Sequence, residues 1–66
     1  MNVIINGVTR QVSDGATTAE AVRVLTTAGS GVAVAVNGEV VTRSAWDSTV
    51  LADGDEVEVL TAVQGG

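Results

Sequence analysis

The sequence contains no cysteine, histidine, lysine or tyrosine. Without cysteine no disulfide can stabilise the fold, and without cysteine and histidine a zinc site of the usual kind is not expected. The same absences remove the common covalent nucleophiles and general bases, apart from carboxylates and hydroxyls. A chain of 66 residues also has little surface with which to enclose a substrate pocket. We therefore expect one domain, residues 1–66, that is not an enzyme by itself and binds no metal or cofactor stably.

Positive charge and long apolar runs are also scarce. Three arginines stand against eight carboxylates, which gives a net charge of −5, so nucleic acid is an unsuitable partner. No apolar run approaches the roughly 20 residues that span a bilayer, and no signal-peptide pattern precedes the first predicted strand. These absences predict a cytoplasmic protein with no membrane contact. The acidity suits a partner with a basic docking surface, but the sequence favours the simpler interpretation that it keeps the protein soluble.

Apolar residues make up 45% of the chain, and their spacing predicts short strands around one helix. Asn6-Gly7 favours a tight hairpin between the first two strands. Thr17 and Glu20 match the capping box that begins a helix. The predicted elements are strands at 2–5, 8–12, 32–36, 39–41 and 56–60 and a helix at 18–28. This order predicts an α+β fold, the ubiquitin-like β-grasp, in which one main helix packs on one face of a mixed sheet.

Strand alternation sorts the side chains between the two faces of the sheet. The valines of 32–36 are predicted to face the helix, so that Ala33 and Ala35 lie on the open side. Leu60 falls on the side of the alanines if the last strand is their neighbour, which gives a candidate docking patch. A loop of the same domain that covers the alanines is an equally good interpretation.

The predicted core is completed by one helical stripe and one aromatic residue. Trp46 is predicted to cover an edge of the core. The apolar stripe of the helix is predicted to be Ala21, Val24, Leu25 and Ala28. The core is predicted to contain Val3, Ile5, Val24, Leu25, Val34, Val36, Val57 and Val59.

The last strand runs almost directly into Gly65-Gly66. Glycine is costly to order and has no side chain to pack, so residues 64–66 are predicted to form a flexible tail. A diglycine tail can enter a narrow channel of another enzyme and present its terminal carboxylate for activation. On the dipeptide alone, a frayed end without function is the simpler alternative.

Three segments precede the diglycine in a fixed order: Asn37–Val41 (NGEVV), Arg43–Trp46 (RSAW) and Asp53–Asp55 (DGD). Each alone is a weak signal, but in this order and at this distance from the diglycine they form a specific combination. On these residues the whole chain resembles the ThiS/MoaD-like family of ubiquitin-like sulfur carriers, and most closely the thiamine-biosynthesis members.

The resemblance implies a mechanism and a set of partners. An E1-like adenylyltransferase (ThiF-like) is expected to activate the carboxylate of Gly66 with ATP, which makes Gly66 the catalytic position. A persulfide sulfur donor then converts it to a thiocarboxylate, and a thiazole synthase (ThiG-like) takes the sulfur. Partner contacts are expected from Gly65, Gln64, Val63, Leu60, Ala33 and Ala35.

Other proteins of this fold leave alternatives open. The small subunit of molybdopterin synthase and carriers for cysteine or methionine synthesis share the activation chemistry and differ in the acceptor. A ubiquitin-like protein modifier forms an isopeptide bond from the same adenylate. A plain interaction domain with an accidental diglycine end is the remaining alternative. The sequence names neither the sulfur donor nor the final acceptor.

Overall fold

A computed structural model describes residues 1–25 and 31–61 of the chain. In chain order its elements are β1 (Asn2–Ile5), β2 (Val8–Gln11), α1 (Thr18–Leu25), β3 (Val32–Val36), β4 (Glu39–Val41), a short 3-10 turn (Arg43–Ala45) and β5 (Glu56–Thr61). The five strands form one sheet in the order β2-β1-β5-β3-β4. The central strand β5 is parallel to β1 and antiparallel to β3. The predicted mixed β-grasp sheet is therefore confirmed, with strand limits close to those predicted.

Both hairpins turn on Asn-Gly. Asn6 and Asn37 have φ angles of 51° and 50°, and Gly7 and Gly38, which follow them, have φ angles of 81° and 84°. Two consecutive positive φ angles form a two-residue turn whose twist matches that of the flanking strands, and Asn-Gly adopts it at low cost. The pairs Ile5–Val8 and Val36–Glu39 close the two turns. These turns fix the register of β2 against β1 and of β4 against β3.

The asparagine side chains of both turns also hold the central strand. Oδ1 of Asn6 accepts a hydrogen bond from the amide of Val59 (2.8 Å), and its Nδ2 donates to the carbonyl of Val59 (3.0 Å). β1 ends at Ile5, so this carboxamide continues the β1–β5 ladder by one more pair. Oδ1 of Asn37 accepts from the amide of Glu56 (3.0 Å). The two turns therefore fasten β5 from opposite sides.

We expect replacement of Asn6 by glycine to destabilise the protein by about 1–3 kcal/mol, because the amide and carbonyl of Val59 lose their partner while the turn keeps its favoured backbone. Asn6→Ala adds the cost of a positive φ angle and is expected to be less stable than Asn6→Gly. Urea unfolding followed by circular dichroism measures both changes. Equal stability of Asn6→Gly and the native chain would contradict this role of the carboxamide.

The core lies between α1 and one face of the sheet. The buried hydrophobic side chains that form its main cluster are Val3, Ile5, Ala19, Ala21, Val22, Val34, Trp46, Leu51, Val57 and Val59. Five of the eight predicted core residues are in this cluster: Val3, Ile5, Val34, Val57 and Val59. Val36 is partly buried and packs against the cluster. The prediction that the valines of β3 face the helix is confirmed.

The predicted core face of the helix is right at Ala21 and wrong at Val24 and Leu25. Val24 and Leu25 are 43% and 37% exposed, and the buried residues of α1 are Thr18, Ala19, Ala21 and Val22. The reason is the buried Thr18, which a hydrophobicity pattern counts as polar. Its hydroxyl and its amide both donate to the carbonyl of Thr49 (3.2 and 2.9 Å), so its burial leaves no donor unpaired.

The start of the helix is as predicted. Thr17 Oγ1 accepts a hydrogen bond from the amide of Glu20 (3.4 Å), which is one of the two bonds of a capping box. The predicted end of the helix at Ala28 lies outside the described residues.

Trp46 covers one edge of the core, as predicted. The residue is 6% exposed, and its indole Nε1 donates to the carbonyl of Val41 at the end of β4 (3.0 Å). The guanidinium of Arg43 lies over the ring, 5.0 Å from its centroid, at a distance suited to a cation–π contact. This side chain joins the loop after β4 to the core.

Candidate functional site

The side of the sheet opposite α1, here called the open face, displays alternate residues of β3 and β5. Along β5 the buried Val57 and Val59 alternate with the exposed Glu56, Glu58 and Leu60. Along β3 the buried Val34 lies between an exposed and a half-buried alanine. Because successive side chains of a strand point to opposite faces, Glu56, Glu58 and Leu60 share the open face with the two alanines.

The strand register brings apolar residues together on this face. Leu60 lies directly opposite Ala33, and Ala35 lies between Glu58 of β5 and Val40 of β4. Leu60 is 69% exposed and Val40 is 78% exposed. We call Ala33, Ala35, Val40 and Leu60 the open-face patch. Exposed apolar residues grouped in this way are typical of a protein-docking surface.

The open-face patch surrounds a shallow groove of about 120 Å³, lined by its four residues with Val34 and Glu58. This volume is below the several hundred Å³ that enclose a small-molecule ligand. In residues 1–25 and 31–61, no group of three acidic side chains is placed to hold a metal ion. The groove therefore suits a partner's side chain better than a free substrate.

The charges on the open face are negative. Glu56 and Glu58 are both exposed there. The three arginines lie elsewhere: Arg10 is paired with the buried Val3 and so shares its helix-facing side, Arg23 belongs to α1, and Arg43 lies over Trp46. The described part of the open face thus combines an apolar patch with unbalanced negative charge.

β5 leads from the open-face patch into the diglycine segment. Its last residue, Thr61, pairs with Val32 and directly follows Leu60. Five residues follow Thr61 in the sequence, so Gly66 is at most about 18 Å along the chain from the end of the sheet. Gly66 can therefore reach a partner that binds the open-face patch.

The sequence placed three residues of this patch correctly. Leu60, Ala33 and Ala35 were predicted to share the open side, and the structure brings them together. The other predicted site residues, Val63, Gln64, Gly65 and Gly66, lie outside the described residues.

Sequence reasoning placed Glu58 on the outward side of β5, which the structure confirms, but it missed Val40 as a member of this surface. The Asn37-Gly38 turn carried the signal, because a two-residue turn pairs Val36 with Glu39 and therefore Ala35 with Val40.

None of the helices in the part of the chain that the structure describes is long and apolar enough to cross a membrane.

Comparison with known proteins identifies similar chains. The sequence profile of the ThiS family matches residues 3–66. The chain is 29% identical to the sulfur carrier protein ThiS of Escherichia coli (strain K12), and the match covers all of both chains. It is 38% identical to a thiamine biosynthesis protein (ThiS) of Geobacter metallireducens, whose crystal structure superposes over all of both chains with a TM-score of 0.78.

An NMR structure of a thiamine biosynthesis protein from the same organism is also similar. It is 38% identical to the chain, and the match covers all of this chain and 88% of that one, with a TM-score of 0.81. At this identity and superposition, the likeness covers the sequence as well as the fold.

Proposed function

The chain belongs to the ThiS family, and from this we propose that it is a sulfur carrier of thiamine biosynthesis, a substrate of other enzymes and not a catalyst. Residues 64–66 form the reactive tail, and partner enzymes bind the β-grasp domain that carries this tail. The observation that carries this proposal is the open-face patch, which includes Leu60 of β5, the strand that leads into the diglycine. The match with the Escherichia coli sulfur carrier over the whole of both chains supports it.

The proposed chemistry takes place on the α-carboxylate of Gly66. A carboxylate is a poor electrophile, so it first attacks ATP and forms an acyl adenylate with release of pyrophosphate. The terminal sulfur of a persulfide then displaces AMP, and cleavage of the sulfur–sulfur bond by a thiol leaves a thiocarboxylate. Gly65 and Gly66 have no Cβ, which lets the tail pass close to the nucleotide. The chain has no cysteine that could capture the activated acyl group.

The proposed partners are an E1-like adenylyltransferase (ThiF-like), which uses the ATP, and a thiazole synthase (ThiG-like), which accepts the sulfur. The first docks on the open-face patch and thereby places the reacting carbon, so that binding remote from the reaction supplies the positioning. The test of this function is the intact mass of the chain after incubation with that enzyme, ATP and a sulfur donor. The expected gain in mass is that of one oxygen replaced by sulfur.

We expect Leu60→Asp to weaken binding to the adenylyltransferase by roughly 30-fold or more. The reason is that an apolar side chain that becomes buried in the complex is replaced by a charged one. Leu60 is exposed in the free chain, so its fold should be retained. Titration calorimetry measures the affinity, and thermal unfolding measures the stability.

Val50→Asp is the matched control, since Val50 is also exposed but pairs with Thr17 at the start of the helix. Its affinity should stay close to the native value. Native affinity of Leu60→Asp would refute the docking role of the patch, and a large loss of its thermal stability would show that Leu60 supports the fold instead.

A further inference from the structure

Glu58 is the one charged residue that lines the groove of the open-face patch. It lies directly opposite Ala35, which in turn lies opposite Val40. Leu60 is the next residue of β5 on the same face. The carboxylate of Glu58 therefore has Leu60 on one side and Glu56 on the other along β5, and apolar side chains across β3.

The described part of the chain offers Glu58 no partner. Among residues 1–25 and 31–61, the one salt bridge joins the terminal ammonium of Met1 to Asp14. Asn6, which directly follows β1, uses its carboxamide on the backbone of Val59. The arginines are on other surfaces, as described above. Within the described residues, the exposed carboxylate of Glu58 therefore has no cationic partner.

A partner that covers the open-face patch has to displace water beside this carboxylate. Covering an ionised group with apolar surface alone is costly, so a well-adapted partner supplies a positive charge at this point. An arginine suits the groove, since its aliphatic stem can lie on apolar side chains and its planar guanidinium binds a carboxylate through two hydrogen bonds. A second copy of this chain is unsuitable, because it brings further glutamates to the same face.

We propose that Glu58 is a recognition residue that binds an arginine of the activating enzyme. The aliphatic stem of that arginine lies on Ala35 and Val40. This inference rests on the proposed function, because it names the contact by which the adenylyltransferase selects this chain. Glu58 positions the carrier and takes no part in the reaction at Gly66. The pairing also orients the domain on the enzyme, because an apolar patch alone is tolerant of rotation while a bidentate ion pair is not.

The test compares Glu58→Gln with Glu39→Gln in binding to the ThiF-like adenylyltransferase of the same organism. Both variants remove one negative charge and keep the side-chain shape. Glu39 is exposed at the edge strand β4 and pairs with Val36, which packs against the core, so Glu39 belongs to the other side of the sheet.

We expect Glu58→Gln to lower the affinity roughly 10- to 100-fold, because it leaves the partner's cation unpaired in the interface. Glu39→Gln should remain within about twofold of the native affinity, because the charge of Glu39 lies outside the contact and is screened by salt. The dependence of affinity on salt should become flatter for Glu58→Gln than for Glu39→Gln. Glu58→Lys should bind more weakly still, because like charges then meet.

Equal affinities of Glu58→Gln and Glu39→Gln, or tighter binding by Glu58→Gln, overturn the proposal. Sedimentation equilibrium of the free native chain provides a further check. A dimer that Leu60→Asp abolishes would make a second copy the occupant of the patch and would also overturn it.

Thiocarboxylation separates this inference from the function on which it rests. If the native chain is thiocarboxylated and the two glutamine variants bind alike, only the role of Glu58 fails. If the native chain is neither bound nor adenylated, the proposed function fails as well. Circular dichroism of Glu58→Gln should match that of the native chain, since the side chain is exposed.

Discussion

Addition of one alanine after Gly66, or deletion of Gly66, should lower the rate of thiocarboxylate formation by at least 100-fold while the domain stays folded. Either change moves the reactive carboxylate by about 3.5 Å along the chain. A displacement of even about 1 Å can cost a positioned reaction 100-fold. ATP–pyrophosphate exchange measures the adenylation step, and intact mass measures replacement of oxygen by sulfur.

Glu39→Gln is the control for this experiment. It changes an exposed residue outside the open-face patch and leaves the tail unchanged, so its rate should be close to that of the native chain. If the extended or truncated chain is thiocarboxylated as fast as the native chain, the sulfur-carrier proposal is wrong. If the native chain is adenylated but ends in amide bonds to lysines of other proteins, it is a protein modifier instead.

Trp46→Ala should destabilise the domain by about 3–5 kcal/mol, the range for deleting a large buried aromatic side chain. The ring is buried, its indole N–H is bonded to the carbonyl of Val41, and Arg43 lies over it. A single core in a domain of this size supplies no more than about 3–5 kcal/mol of net stability. A large fraction of the variant should therefore be unfolded at 25 °C, which the dispersion of its amide NMR signals measures.

Trp46→Phe separates packing from hydrogen bonding. Phenylalanine keeps an aromatic ring in the core but cannot donate to Val41, so we expect a loss of about 1–2 kcal/mol and a folded protein. Urea unfolding followed by far-ultraviolet circular dichroism measures the loss without requiring tryptophan fluorescence. Native stability of Trp46→Ala would show that the ring contributes little to the core.

The strands were predictable because their signals are local. Asn6-Gly7 and Asn37-Gly38 specify two-residue turns, and a two-residue turn sets the register of its hairpin. The alternation of valine and alanine in β3 then fixes which side of the strand is apolar and large. A reversed register would expose Val34 and bury the small alanines. The structure buries Val34, which confirms the prediction of the inner and outer faces.

The core face of the helix was not predictable in the same way. The predicted apolar stripe contained Ala21, Val24 and Leu25. Of these three only Ala21 is buried, together with Thr18, Ala19 and Val22. The small side chains and the hydrogen bonds from Thr18 to the carbonyl of Thr49 decide this orientation. That carbonyl is 31 residues away in the sequence, so no pattern within the helix reports it.

Four features could be predicted from the residues alone: the fold class, the two tight turns, the outward placing of Ala33, Ala35 and Leu60, and the likeness to sulfur carriers. These depend on residue types at short spacing, where backbone preference and side-chain alternation act.

Three features are seen only in the folded domain: the face of α1 that packs, the carbonyl that accepts from the Trp46 N–H, and the position of Glu58 across β3 from Val40. Each of these depends on a contact between segments that are distant in the chain. Such a contact exists only once the sheet has assembled around β5, because the partner is chosen by the packing of the whole domain and not by its neighbours in sequence.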